Sequence, residues 1–535
     1  MKQKYLLVIL AAAACVCSCN QPSSSPLSKK VSDYALVSIQ APDLSGISDN
    51  GKEVLNLYRF AADEVDAIYW QQYFGNKEAL LGSVTDSLQK EYVKINYGPW
   101  DRRDGKSFVE GYGDRLPGVG FYPADMTEEE FNAWDNPLKL SPYTLIRRGE
   151  DGSLEAVWYH DAFKEHIGKI ASYLTAAADI TIKPSVAKYL QSKIKALQTD
   201  DYYQSGIDWL EMDDSKMDLV IGPNENADDQ LLGIKRSYEA FVLLKNAGRT
   251  AELSEFVSRL GEFQQELPCD PAFKTFQPGT GSNIFSCDAL YYAGKANAGV
   301  KVIALNLPFD PKVQKDKGSR TILLENIIRA KFNAIVAPSG NILLSQENVA
   351  NLSSEAFYWN TVFREVMHGL GVKETVNGKG TVEEALGNTA STFEEVKANA
   401  AGVLLVSKLQ RKYNIHEVFS REDALATFFT SLVRSERFGE GASLGRANTI
   451  IFNYLSDEGA FQRHPAGQYY LNYDKMEHAL EKLTALVLEI QATGNYAFAQ
   501  EFESKYAKRS EQYNTDVLNL VQAGIPMDIR FDFKK

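Results

Sequence analysis

The chain has 535 residues, 44% of them hydrophobic and 24% charged, with a formal net charge of −13 at pH 7. That length supports two or three domains with sizeable cores, and the composition is that of a soluble globular protein. The acidic excess argues against nonspecific nucleic-acid binding, which needs basic patches to displace counterions.

The chain opens with MKQKYLLVILAAAACVCSC. Lys2 and Lys4 precede an apolar run from Tyr5 to about Val16. The run is too short to span a bilayer and has the form of a secretory signal peptide. Val16-Cys17-Ser18-Cys19 matches a bacterial lipobox, which predicts a signal peptide over 1–18, cleavage before Cys19 and lipid on its sulfur. A plain signal peptide cut nearby is the alternative. Residues 19–35, with NQPSSSPLSKK, are polar and Ser/Pro-rich and suit a flexible tether. Beyond them only Cys269 and Cys287 remain. An exported protein meets an oxidising compartment, so these two either pair or persist as separate thiols.

Helical spacing of apolar residues predicts helices over 162–180 and 185–197. The apolar runs KMDLVIGP (216–223), VKVIALNLP (300–308) and NAIVAP (333–338) read as strands, the first ended by Gly-Pro. After about residue 384 helical patterns dominate, through KMEHALEKLTALVLEIQATG (475–494), where the last Gly is a stop signal.

The chemistry concentrates in NTVFREVMHGLG (360–371). H-E-x-x-H puts two imidazoles one helical turn apart, where both reach one zinc, and its Glu serves as general base. Here Arg364 takes the first His position, followed in register by Glu365 and His368. Val362, Phe363, Val366, Met367 and Leu370 make the apolar side of the helix, and Gly369 and Gly371 end it. A later helical stretch, STFEEVKANAAGVLLVSKL, carries Glu394 and Glu395 as further candidate ligands.

The order of segments resembles the dipeptidyl peptidase III family of zinc peptidases, in its bacterial H-E-x-x-H-G-L-G branch. The resemblance runs from about residue 117 to 535. It includes GFYPADMTEEEFNAW, DLVIGPNENADDQLLG, VIALNLPFD, FREVMHGLG, EEVKAN and IIFNYLSDEGAF. It implies a mixed α/β, two-domain fold with a cleft. The lower, α/β domain is expected over 36–335, with part of 245–290 open to assignment to the upper domain. The helical upper domain is expected over 336–500, and a C-terminal segment over 501–535 is expected to return to the lower one.

The family's zinc ligands fall on Arg364, His368 and Glu395, and Glu365 matches the catalytic Glu. Glu394 and Asn399 fall on supporting positions, and at Asn399 the family has an acid. In the family's substrate segment, which resembles I-G-x-I-E-x-Y, Glu225 is kept and Ala227 stands for the Tyr. In its N-[IL]-P-N pattern Asn306 is kept and Phe309 replaces the second Asn. Leu444 aligns with a late His that stabilises the transition state.

Arginine has no lone pair for a metal and stays charged, so zinc binding is expected to be weak or lost. Arg364 either pairs with Glu365 or Glu395, replacing the dication's charge, or turns to solvent. The resulting expectation is a degenerate, inactive zinc dipeptidyl peptidase homologue, lipid-anchored in a bacterial envelope, with a cleft for a peptide or small molecule. An active hydrolase with an altered ligand set and a partner-binding scaffold are the competing readings.

Overall fold

The computed structural model describes residues 25–39, 43–212, 215–276, 283–413, 418–438 and 442–532. The predicted leader, Cys19 and the tether through residue 24 lie outside them. The rest of the predicted tether is ordered instead, as a helix over Pro26–Ser32 and the start of a strand over Tyr34–Ser38.

Two large buried cores, with two smaller clusters beside them, organise the described residues. The first is built on a curled five-stranded sheet: β1 (Met217–Glu225), β2 (Ser237–Lys245), β3 (Asn283–Gly294), β4 (Ala304–Leu307) and β5 (Arg320–Leu324). Their order is β1-β2-β3-β5-β4; all neighbours are antiparallel except the parallel pair β3/β5. Helices α1 (Asp49–Tyr73), α2 (Lys164–Ile180) and α3 (Pro184–Thr199) belong to the same core, burying Val65, Ile68, Ile170, Leu174 and Leu190 with Phe241 and Ile322 of the sheet. Asp218 of β1 and Arg320 of β5 form a fully buried ion pair at 3.2 Å. The Trp209 indole donates to the same aspartate at 2.9 Å. Arg320 also donates to the carbonyls of Leu210 and Met212, so both terminal nitrogens of this buried charge are engaged.

The helices expected over 162–180 and 185–197 are α2 and α3. Strand 216–223 is β1, but it runs through Gly222-Pro223 to Glu225 with a register shift there. An edge strand tolerates proline because its outer side needs no amide donor. NAIVAP is not a strand. It lies in a continuous helical stretch, Phe332–Val336 followed by Ala337–Leu343. Its apolar run is that of a buried helix, and a short apolar run does not discriminate the two.

The second core is helical. It holds α4 (Ala247–Val257), α5 (Leu260–Glu266), α6 (Ser354–His368), α7 (Ala390–Tyr413), α8 (Arg421–Ser435), α9 (Ser443–Asp457), α10 (Tyr473–Thr493) and α11 (Glu511–Gln522). Part of 245–290 thus joins the helical core through Leu253, Phe256 and Phe263. The C-terminal return is narrower than 501–535, because Tyr513, Val517 and Leu520 of α11 face the helical core. The return is made by Asp528–Asp532, which pairs in parallel with Tyr34–Ser38 and buries Ile529 in the sheet core. Cys269 and Cys287 are both free thiols, Cys287 fully buried.

Candidate active site: a charge cluster between two helices

Helix α6 starts at Ser353, whose hydroxyl accepts the Ala356 amide at 3.2 Å, and stops at Gly369. It buries Phe357, Val362, Phe363, Val366 and Met367, and turns Arg364, Glu365 and His368 toward its neighbour α7. Gly402 of α7 makes that packing close. A Cβ there would stand 3.0 Å from the Arg364 amide nitrogen and 3.1 Å from the Phe363 carbonyl carbon. This contact brings Glu394 and Glu395 of α7 opposite the motif.

Arg364 lies between two carboxylates. Its Nη1 donates to Glu365 Oε1 at 2.7 Å and its Nη2 to Glu395 Oε2 at 3.2 Å. Burial works against its charge, but Glu365 and Glu395 more than offset this and raise its pKa above the ordinary value. The alternative in which Arg364 turns to solvent is therefore not what the chain adopts. His368 Nδ1 meets Glu394 Oε1 at 3.1 Å, and its Nε2 lies 3.9 Å from Glu395 Oε1. Asn399 turns its amide onto its own helix, donating to the Glu395 carbonyl at 2.9 Å.

Sequence reasoning missed two members of the cluster. Lys397 is wholly buried, 2.9 Å from Glu394 Oε1, and donates to the Leu370 carbonyl at 2.8 Å. Burial, with repulsion from Lys373 and against Glu394, pushes its ammonium down to about 8. Burial disfavours an ionised Glu394, but Lys397, His368 and Lys373 hold its carboxyl down at about 2. Gly371 has φ +89°, and a Cβ there would press within 3.0 Å of the Lys397 chain. The second missed residue is Arg434 of α8. It shares with Arg364 and Leu444 a cavity of about 120 Å³. No motif spacing marks it, because only packing of α8 brings it there.

The substrate-segment residues Glu225 and Asn306 lie on the five-stranded sheet. Glu225 ends edge strand β1, and Asn306 is exposed on the opposite edge strand, β4. Arg236 donates to the Asn224 carbonyl, and its guanidinium carbon lies 5.4 Å from the centre of the Phe309 ring. Glu225 Oε1 accepts the Ala227 amide at 3.0 Å, and its Oε2 lies 3.6 Å from Lys295. Beside it, burial and repulsion from Glu225 push the Glu239 carboxyl up to about 8.

A model of peptidase family M49 matches residues 148–379. Dipeptidyl peptidase III from Caldithrix abyssi superposes with a TM-score of 0.90 at 33% identity, over 94% of this chain and 98% of that one. This chain belongs to the dipeptidyl peptidase III family. The family member from Corallococcus sp. strain EGB is 29% identical with a TM-score of 0.82, over 96% and 97% of the two chains. Nudix hydrolase 3 of Arabidopsis thaliana is 27% identical over 96% of this chain and 74% of its own length. The mixed α/β, two-domain fold expected from the sequence is the dipeptidyl peptidase III fold.

The dipeptidyl peptidase III family is zinc-dependent, and the donor set here does not fit that ion. His368 and Glu395 are two donors, and Arg364 is a cation without a lone pair in place of the third. Among the described residues, no group of three or more His, Cys, Asp or Glu side chains is placed to hold a metal. His160 is paired with Asp200 and His166 with Glu64, His464 and His478 belong to other parts of the chain, and His416 lies outside the described residues.

Proposed function

We propose that this protein is a dipeptidyl peptidase III homologue that no longer hydrolyses peptides, with a cleft that still takes an extended peptide or small ligand. The observation that carries this reading is the Arg364 guanidinium between Glu365, at the general-base position, and Glu395, at the ligand position. It supplies the positive charge that these carboxylates need, and engages the base. Ala227, Phe309 and Leu444 at positions where the family has Tyr, Asn and His support it.

Ligand binding is supported by the open edge strand β4, whose outer backbone groups are available to an added strand beside exposed Asn306. The lipobox-like Val16-Cys17-Ser18-Cys19 supports anchoring in a bacterial envelope.

Elemental analysis of the purified chain, with a dipeptidyl-arylamide hydrolysis assay, tests the reading. The expected result is zinc far below stoichiometry after dialysis and no hydrolysis above blank. Tightly held stoichiometric zinc with turnover overturns it. A peptide that occupies the cleft raises the melting temperature as its concentration passes its dissociation constant.

A further inference from the structure

The cavity shared by Arg364 and Arg434 has a chemistry that the ion pair does not use up. It lies among α6, α7, α8 and α9, and Ile303, just before edge strand β4, closes one side. Both terminal nitrogens of Arg364 are engaged by Glu365 and Glu395. Its Nε is buried and finds no hydrogen-bond partner within the protein. Asn360 spends its amide nitrogen on the Ala424 carbonyl at 3.0 Å; its buried Oδ1 has no partner, but as an acceptor it offers an anion no contact. Arg434 brings a second guanidinium, with Asp528, Arg437 and Lys331 as charged neighbours and the Phe357 ring 6.0 Å away. Ser431 and Asn399 add polar groups, while Phe357 and Leu444 make part of an apolar wall. No acidic side chain stands among the described lining residues.

We infer that this cavity binds a small organic carboxylate, its oxygens toward Arg364 Nε and Arg434 and its carbon body against Phe357 and Leu444. Two guanidinium groups in a partly enclosed, half-apolar wall favour an anion, and among anions one with an apolar side. A cavity of about 150 Å³ admits a six-carbon ring, so one of about 120 Å³ takes an acid of three or four carbons or the end of a short peptide. The leucine at position 444 belongs to the same design, because a basic or bulky group there would take the place of the ligand's carbon body. This inference rests on the reading that Arg364 holds the metal position.

Calorimetric titration of the metal-free full chain with sodium propionate at low salt tests it, with propionamide as the neutral isostere. Propionate is expected to bind saturably, with a dissociation constant on the order of 0.1–1 mM, and propionamide not. Arg434→Gln is expected to weaken propionate by about tenfold or more, through loss of a charge-assisted donor. Asn399→Asp keeps the shape of the side chain at a position where the family carries an acid. It is expected to weaken propionate similarly by adding a negative charge to the wall, and so tests the site even where Arg434→Gln fails to fold.

Trialanine with a free and with an amidated C-terminus separates the two sources of a carboxylate. Displacement of propionate by the free acid alone assigns the site to a peptide end, and no displacement by either assigns it to a free acid. Equal binding of propionate and propionamide, no binding of propionate, or unchanged propionate binding in folded Asn399→Asp overturns the inference. Zinc found by elemental analysis is a separate outcome, which overturns the proposed function and not the titration.

Discussion

Replacing Arg364 by histidine is expected to give this chain a zinc affinity that the natural chain lacks under the proposed function. Zinc bond lengths of about 2.0–2.2 Å place neighbouring donors of a tetrahedral site about 3.4 Å apart. His368 Nε2 and Glu395 Oε1 are already 3.9 Å apart, so a contraction of about 0.5 Å, small beside rotamer freedom, brings them to that spacing. The introduced imidazole stands one turn before His368 on the same helix face. In the natural chain a dication at Glu395 sits roughly 5 Å from the Arg364 guanidinium, a repulsion of about 7 kcal/mol at an effective dielectric of about 20. Four-ligand structural zinc sites bind with about 10–16 kcal/mol, or about 3–4 kcal/mol per ligand. Two donors supply about 6–8 kcal/mol, which the repulsion cancels. Three donors without the repulsion supply about 9–12 kcal/mol, a dissociation constant between sub-micromolar and nanomolar. Competition against a chromophoric chelator, with elemental analysis after dialysis, measures this for both chains. Zinc held equally by both chains, or by neither, refutes the reasoning. Zinc uptake without peptide hydrolysis assigns the remaining deficit to Ala227, Phe309 and Leu444.

Three other substitutions probe the frame. Gly402→Ala forces a Cβ against the backbone of α6 and is expected to destabilise by about 1–3 kcal/mol, read as a lower denaturant midpoint for the helical core. Asp218→Ala leaves Arg320 buried without its carboxylate and is expected to cost about 3–5 kcal/mol in urea unfolding; a loss below about 1 kcal/mol contradicts the pairing. Glu239→Gln has an effect whose sign depends on pH. The folded-state pKa of Glu239 lies at about 8, above its unfolded value of about 4.3, so the folded chain holds the extra proton between these values and loses stability as pH rises across them. The glutamine is expected to raise the melting temperature at pH 8 relative to the parent and to leave it unchanged at pH 4; a gain that is the same at both pH values contradicts the assignment.

Much of this arrangement is legible in the chain itself. The register of Arg364, Glu365 and His368 on one helix follows from i, i+1 and i+4 spacing, and Glu395 follows from the second motif. Repeated helical spacing gives α2, α3 and α10, whose stop at Gly494 has the left-handed φ of +52° expected of a terminal glycine. What local pattern cannot carry is tertiary. Phe332–Val336 has the composition of a strand and the burial of a helix, and only its neighbours decide between them. Lys397 reads as a surface residue in EEVKAN, yet its ammonium is buried because Glu394 and the Leu370 carbonyl receive it. The edges carrying Asn306 and Glu225 approach one another through Arg236, a residue no motif singles out.

The close seat of Gly402 against the backbone at Arg364 also bears on how this chain changes over generations. Histidine codons CAT and CAC differ from arginine codons CGT and CGC by a single base. The helix pair that sets the position of Glu365, His368 and Glu395 meets backbone to backbone at Gly402, a contact that does not use the side chain at position 364. A point mutation at that codon therefore changes the charge and donor of the cluster while the helices stay in register. A substitution there is thus a change of side chain on a helix packing that Gly402 sets, and the path of the backbone does not have to move to accommodate it.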